Sequence, residues 1–250
     1  CDWSSDVCSS DLIHTQSGDD RYTNVDKMIL KEADFMPHGL INNAAELVGS
    51  DGAKLVSYTR WVCERIRDIG RPGYQPALRF DVYGTLGEAL NDDPARIVDV
   101  LAQVRAVTEP FELFVEMPVD MGSEVEQFRV MREIRRRIKA ANLRVNLIID
   151  EYANTLEEIK RWADSDACDM VQVKTPDLGA LHNTVEAVLY CHRAGKLAYL
   201  GGSCAETDQS ARLCTNIALA TRPFACAAKP GMGVDEGIMI VRNEMQRVLA

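Results

Sequence analysis

Leu78-Arg79-Phe80-Asp81, Leu113-Phe114-Val115-Glu116 and Leu147-Ile148-Ile149-Asp150 set the rhythm of this chain. Each is a short apolar stretch closed by a carboxylate. The carboxylates stand 35 and 34 residues apart, and Lys174 closes a fourth such stretch 24 residues further on. A strand with its following helix takes roughly 30 residues in a (β/α) barrel, and such a barrel gathers its strand ends around one mouth. The spacing therefore predicts an α/β fold of the TIM-barrel type, with three carboxylates and a lysine at a shared rim.

Further apolar runs extend the pattern. Strands are expected near 34–41, 77–82, 112–117, 145–150, 170–174, 198–202 and 224–228, short runs of the kind buried between two layers. Helical patterns cover about 57–69, 93–106, 124–141, 155–163, 180–194 and 207–220, and the last residues, 244–250, read as helix too. Asp93-Pro94 is a good helix start, with Asp as N-cap and Pro in the first helical position. Strands alternating with helices argue for a parallel sheet. The rival is an open doubly wound sheet, which more often carries a Gly-rich phosphate loop after its first strand. Gly18 and Gly39 do not form G-x-G-x-x-G, which favours the barrel.

The chain has 250 residues, 46% of them hydrophobic, enough for the core of one barrel. No run approaches the roughly 18 apolar residues of a membrane span. The net charge of −10 argues against nucleic acid as the main partner, because phosphate binding needs a basic face. Residues 2–12 resemble a reading frame of a sequencing-adapter oligonucleotide. Residues 1–12 are therefore expected to be a non-native tail, and 13–250 the barrel. Cys63, Cys168, Cys191, Cys204, Cys214 and Cys226 lack CxxC or zinc-like spacing and read as reduced cysteines of a cytoplasmic enzyme.

Asp81, Glu116 and Asp150 follow apolar residues, where a buried charge is costly unless paired. A magnesium ion at the mouth would remove that cost, since it takes oxygen ligands in near-octahedral array. Separate salt bridges or helix caps would explain any one of the three. Gln172 and Lys174 stand at i and i+2 of one strand and so share a face. A lysine beside a divalent cation is expected to have a depressed pKa, which suits it to take a proton; an exposed rim lysine is the plainer alternative. His38 could face Lys174 across the mouth, although a lone histidine is more often structural. Gly201-Gly202-Ser203-Cys204 offers backbone N–H groups and a hydroxyl to an anion. Gln16-Ser17-Gly18-Asp19-Asp20-Arg21 is a second polar segment; ordinary loop turns would account for both.

Longer runs carry a resemblance. They are 16–21, Asn24-Val25-Asp26-Lys27-Met28, Pro37-His38, Val171-Gln172-Val173-Lys174-Thr175-Pro176-Asp177-Leu178-Gly179 and 229–237. On these the chain resembles the methylaspartate ammonia-lyases of the enolase superfamily, from Gln16 to Ala250. The resemblance implies Mg2+ held by Asp81, Glu116 and Asp150. Lys174 would be the base on the (S) face, with His38 the acid/base group opposite. Gln16, Gln172, Ser203 and the backbone of Cys204 would position the substrate. It also implies a monovalent cation, K+, a homodimer, and reversible loss of ammonia from 3-methylaspartate to give mesaconate.

Two departures stand out. The N-terminal capping domain of that family is expected to be missing. Ala227 stands where a bulkier aliphatic residue is expected against the substrate's methyl group. The alternatives are another enolase-superfamily dehydratase or cycloisomerase, or a barrel fragment without activity.

Overall fold

The computed structural model describes residues 13–14, 21–38, 41–202, 206–227 and 233–250. Among them run eight strands: β1 (Ile13–His14), β2 (Phe35–His38), β3 (Ala77–Asp81), β4 (Leu113–Glu116), β5 (Asn146–Ile149), β6 (Met170–Val173), β7 (Leu197–Leu200) and β8 (Ala225–Ala227). Every hydrogen-bonded pair is parallel, in one sheet that runs from β2 through β8 to β1. β1 and β2 lie against each other, which brings the sheet round on itself.

Parallel neighbours need crossovers. The helices supply them: α1 (Arg21–Leu30), α2 (Ala53–Ile69), α3 (Thr85–Leu90), α4 (Pro94–Thr108), α5 (Glu124–Ala140), α6 (Leu156–Asp164), α7 (Leu181–Arg193), α8 (Asp208–Thr221) and α9 (Val234–Leu249). A π-helix, Ala44–Val48, precedes α2. No helix among the described residues is long and apolar enough to cross a membrane.

Local chemistry explains several boundaries. Asp93 accepts from the Ala95 N–H at 2.9 Å, with Pro94 opening α4. Thr155 and Glu158 form a reciprocal capping box at the start of α6. The seven expected strands are present, all ending earlier than expected, with β7 starting one residue sooner. β1 is the addition, and two residues are too few to show a period. α3 also went unforeseen, because six residues around Gly87 carry no helical stripe. α1 was not foreseen either, although Val25, Met28 and Ile29 are buried at the i, i+3, i+4 spacing of a core-facing helix.

Strand residues alternate between two cores. Leu78 and Phe80 of β3 face the helices and join the large outer core. Inside the barrel, Phe35, Phe114, Ile148, Met170, Tyr199 and Ala225 form a separate plug, flanked by Phe224. The Phe114 ring meets Phe35 edge-on, centroids 5.6 Å apart, and Phe224 at 5.1 Å. Removing a buried aromatic side chain costs about 3–5 kcal/mol. Phe114→Ala is therefore expected to lower Tm by roughly 6–20 °C, at about 2–4 °C per kcal/mol for a chain of this size. A drop under two degrees in a thermal melt would show that the plug contributes little.

The plug also sets what lies above it. Side chains two residues further along a strand share its face. From Phe114, Ile148, Met170, Tyr199 and Ala225 that step leads to Glu116, Asp150, Gln172, Gly201 and Ala227.

Candidate active site

Asp81 and Glu116 end neighbouring strands and pair with each other in the β3–β4 register. Asp150 and Lys174 follow the last residues of β5 and β6. Glu116 is wholly buried, and Asp81 and Asp150 nearly so. The structure thus brings the three carboxylates and the lysine to one end of the barrel.

Their oxygens are turned to cations of the chain itself. Lys174 Nζ lies 2.6 Å from Asp150 Oδ1 and 3.4 Å from Glu151 Oε1. The first contact is an ion pair without hydrogen-bond angles, which leaves Oδ1 a buried acceptor lacking a hydrogen-bond partner among the described residues. Arg79 lies inside the barrel. Its Nε and Nη2 each approach Glu116 Oε2 at 2.5 Å, and Nη2 is 3.4 Å from Asp81 Oδ2. No group of three His, Cys, Asp or Glu side chains among the described residues is gathered closely enough to hold a metal ion. Glu116 and Asp150 each face a cation of the chain itself.

Burial pushes all three carboxyls above their usual range, against the pull of Arg79 and Lys174. Asp150 is raised to about 6, with Asp81 adding repulsion. Lys174, with no divalent cation beside it, shifts opposite to the direction expected of a lysine next to one. Burial pulls its ammonium down, but Asp150 and Glu151 outweigh burial and leave it raised rather than depressed. Its neighbours in this structure are anions, so the sign of the shift follows them.

Gln172 donates from Nε2 to Glu116 Oε1 at 3.1 Å and to the Tyr199 hydroxyl. Its Oε1 is a buried acceptor with no partner among the described residues. Gly201 packs against it: a Cβ there would sit 2.7 Å from Gln172 Cγ and Cδ. Ala227 ends β8 and is buried. His38 ends β2 beside Phe80 in the β2–β3 register, and its side chain lies outside the described residues. Gln16, Ser203 and Cys204 also lie outside them. Cys63, Cys168 and Cys191 are buried thiols that burial pushes up to about 11, 12 and 12, which suits packing and not nucleophilic work.

Sequence reasoning missed Arg79, Tyr199 and Glu151. It also missed a backbone feature. Tyr83, Met117 and Tyr152, just beyond the three carboxylates, have φ of 45°, 47° and 67°. Left-handed backbone in non-glycine residues costs roughly 1–3 kcal/mol each and gathers at functional sites. At Tyr83 its N–H donates to Asp81 Oδ1 at 3.2 Å.

Architecture and mouth together define a (β/α) barrel of the TIM type. Such a barrel is shared with the L-Ala-D/L-Glu epimerase of Bacillus subtilis (TM-score 0.64, covering 87% of this chain and 53% of that one), where 14% identity makes the likeness one of fold alone. Residues 7–250 match the family described as methylaspartate ammonia-lyase C-terminus, and the chain belongs to that family. It is 50% identical over 238 residues to methylaspartate ammonia-lyase 2 of Carboxydothermus hydrogenoformans, covering 95% of this chain and 57% of the relative. With the methylaspartate ammonia-lyase of Citrobacter amalonaticus the identity is 47%, covering 94% and 57%. The structure of β-methylaspartase from Clostridium tetanomorphum in its Mg complex superposes with a TM-score of 0.91 at 46% identity, covering 95% of this chain and 58% of that one. This chain therefore spans little more than half the length of these relatives.

Proposed function

We propose that the barrel serves a methylaspartate ammonia-lyase, in which L-threo-3-methylaspartate reversibly loses ammonia to give mesaconate. The observation that carries the reading is Lys174 poised over a buried carboxylate, 2.6 Å from Asp150, at the mouth that Asp81 and Glu116 share. The relatives' names supply the reaction.

The residues present fit a divalent cation. Asp81, Glu116, Asp150 and Glu151 face Arg79 and Lys174, four carboxylates against two cations, which leaves two formal negative charges. Oxygen-only donors and a double charge deficit suit magnesium, with Asp81, Glu116 and Asp150 as its holders. Bound there, magnesium supplies positive charge to the substrate carboxylate beside the carbon that loses its proton.

The chain's own groups do the rest. The C3–H proton is weakly acidic, and its removal places a second negative charge on the neighbouring carboxylate. Lys174 takes this proton from the (S) face, and His38 is assigned the opposite face. Lys174 must first be neutral, and an Asp150 engaged elsewhere no longer holds the lysine's proton in place. The electron pair left at C3 then forms the double bond to C2 as the C–N bond breaks and ammonia leaves. Gln172 Oε1 is suited to accept from the substrate's amino group. Gln16, Ser203 and the Cys204 backbone are assigned to its carboxylates. The same reading carries K+, a homodimer and a cytoplasmic setting, the last in keeping with buried cysteines that remain thiols.

The test follows the ultraviolet absorbance of the new conjugated double bond as 3-methylaspartate is consumed with Mg2+ and K+. A folded protein that binds magnesium but leaves 3-methylaspartate untouched would redirect the reading to a sister reaction. Ala227 adds a finer expectation. Its small side chain at the mouth level leaves room for larger 3-alkyl groups, so 3-ethylaspartate should be a good substrate and Ala227→Leu a poorer enzyme for it. An Ala227→Leu variant that handles 3-ethylaspartate as well or better would refute this.

A further inference from the structure

One level below the mouth lie Arg79 and Tyr199, two buried polar side chains to which the proposed reaction gives no role. Arg79 reaches Glu116 Oε2 with both Nε and Nη2 at 2.5 Å. The Tyr199 hydroxyl donates to the same oxygen at 2.8 Å and accepts from Arg79 Nη2 at 2.8 Å. The guanidinium also stands over the Tyr199 ring, 5.1 Å from its centroid. Among the described residues Glu116 Oε1 has two longer contacts, Gln172 Nε2 and the Tyr199 hydroxyl, both at 3.1 Å. Oε2 is thus gripped from below, while Oε1 is held lightly.

We infer that Arg79 is a positioning residue: with Tyr199 it anchors Glu116 by Oε2 and leaves Oε1 as the oxygen that serves a divalent cation. This rests on the reading of Asp81, Glu116 and Asp150 as a divalent-cation site. The simpler rival is that Arg79 only neutralises charge. The two differ in sign. A cation that merely neutralises competes with a metal, so removing it tightens metal binding. A cation that positions a ligand loosens metal binding when it goes. The geometry favours positioning. Nε and Nη2 of the guanidinium converge on one oxygen, and a planar fork clamped on a ring fixes direction as well as charge. A buried ion pair is also a weak source of stability compared with apolar packing, so its geometry is the better account of its presence.

Mn2+ serves as the probe, because its free-ion electron paramagnetic resonance signal falls as it binds. Titrations compare wild type, Arg79→Lys, Tyr199→Phe and Asp150→Asn, with circular dichroism melts as the check on folding. Arg79→Lys keeps the charge and loses the fork. A hydrogen bond to a charged group is worth enough to predict Kd for Mn2+ raised roughly tenfold or more in Arg79→Lys. Tyr199→Phe loses one neutral donor, and its Kd should rise less. The bound-ion spectrum should also change in both, reporting an altered ligand orientation. Wild-type or tighter Mn2+ binding in a folded Arg79→Lys variant overturns the inference. Should that variant fail to fold, Tyr199→Phe decides on the same criterion: looser binding supports, equal or tighter binding overturns. If wild type binds no Mn2+, or Asp150→Asn binds it equally well, the cation-site reading has failed and takes the inference with it, an outcome distinct from a failure of positioning alone.

Discussion

Lys174→Ala is expected to lower turnover of 3-methylaspartate by roughly 10²–10⁴-fold, the usual worth of a positioned general base. The loss should fall on kcat, because the role proposed for the side chain is proton removal more than binding. Its effect on stability depends on the metal. Without magnesium the variant leaves Asp150 buried and without its lysine, and breaking a buried pair from one side costs about 3–5 kcal/mol. Magnesium returns a counter-charge to Asp150, so it should raise the Tm of Lys174→Ala by more than it raises that of wild type. Steady-state kinetics and paired melts read both effects. A variant that keeps a tenth or more of wild-type turnover would move the base elsewhere, with His38 the first alternative.

The second large effect separates two carboxylates that look alike in sequence. Both Asp81→Asn and Glu116→Gln should abolish the magnesium-induced rise in Tm. At a hundred times Kd a ligand stabilises by about 2.7 kcal/mol, or roughly 5–10 °C here. In the metal-free protein they should diverge. Glu116→Gln strips Arg79 of its 2.5 Å partner inside the barrel, and about 3–5 kcal/mol should be lost. Asp81→Asn gives up only a 3.4 Å contact, and its carbonyl can still accept from Tyr83, so Tm should barely move. Equal losses in the two variants would mean that Arg79 is shared evenly between them. An undiminished magnesium shift in either would remove that residue from the site.

The barrel was legible because burial on both sides of a parallel strand leaves an uninterrupted apolar run, and the carboxylates broke those runs at even intervals. Lys174 and Gln172 followed from the two-residue period. The same period applied to Asp81 leads to Arg79, which sits in plain view in Leu78-Arg79-Phe80-Asp81. Reading that stretch as apolar hid an arginine facing the interior. Tyr199 gave no such warning, since tyrosine is common in apolar strands and only its partners reveal the role of its hydroxyl. Left-handed φ at Tyr83, Met117 and Tyr152 has no residue signature at all, because glycine, the usual sign, is absent. The reversed shift of Lys174 has another origin: the expectation assumed a cation neighbour, while the nearest charges are Asp150 and Glu151.

The levels inside the barrel also bear on how its catalytic repertoire could diversify. Three of the strands that hold the plug reach the chemistry within one further inward step, from Phe114 to Glu116, Ile148 to Asp150 and Met170 to Gln172. Scaffold and part of the reactivity are therefore stacked along the same strands, with Asp150 and Lys174 in the residues just beyond them. Directed evolution confined to more distant loop positions would leave the charge pattern untouched and tune only access. Changing the reaction itself means altering strand residues whose next inward neighbour is part of the plug. Such changes call for paired libraries, in which an upper position and the one beneath it vary together.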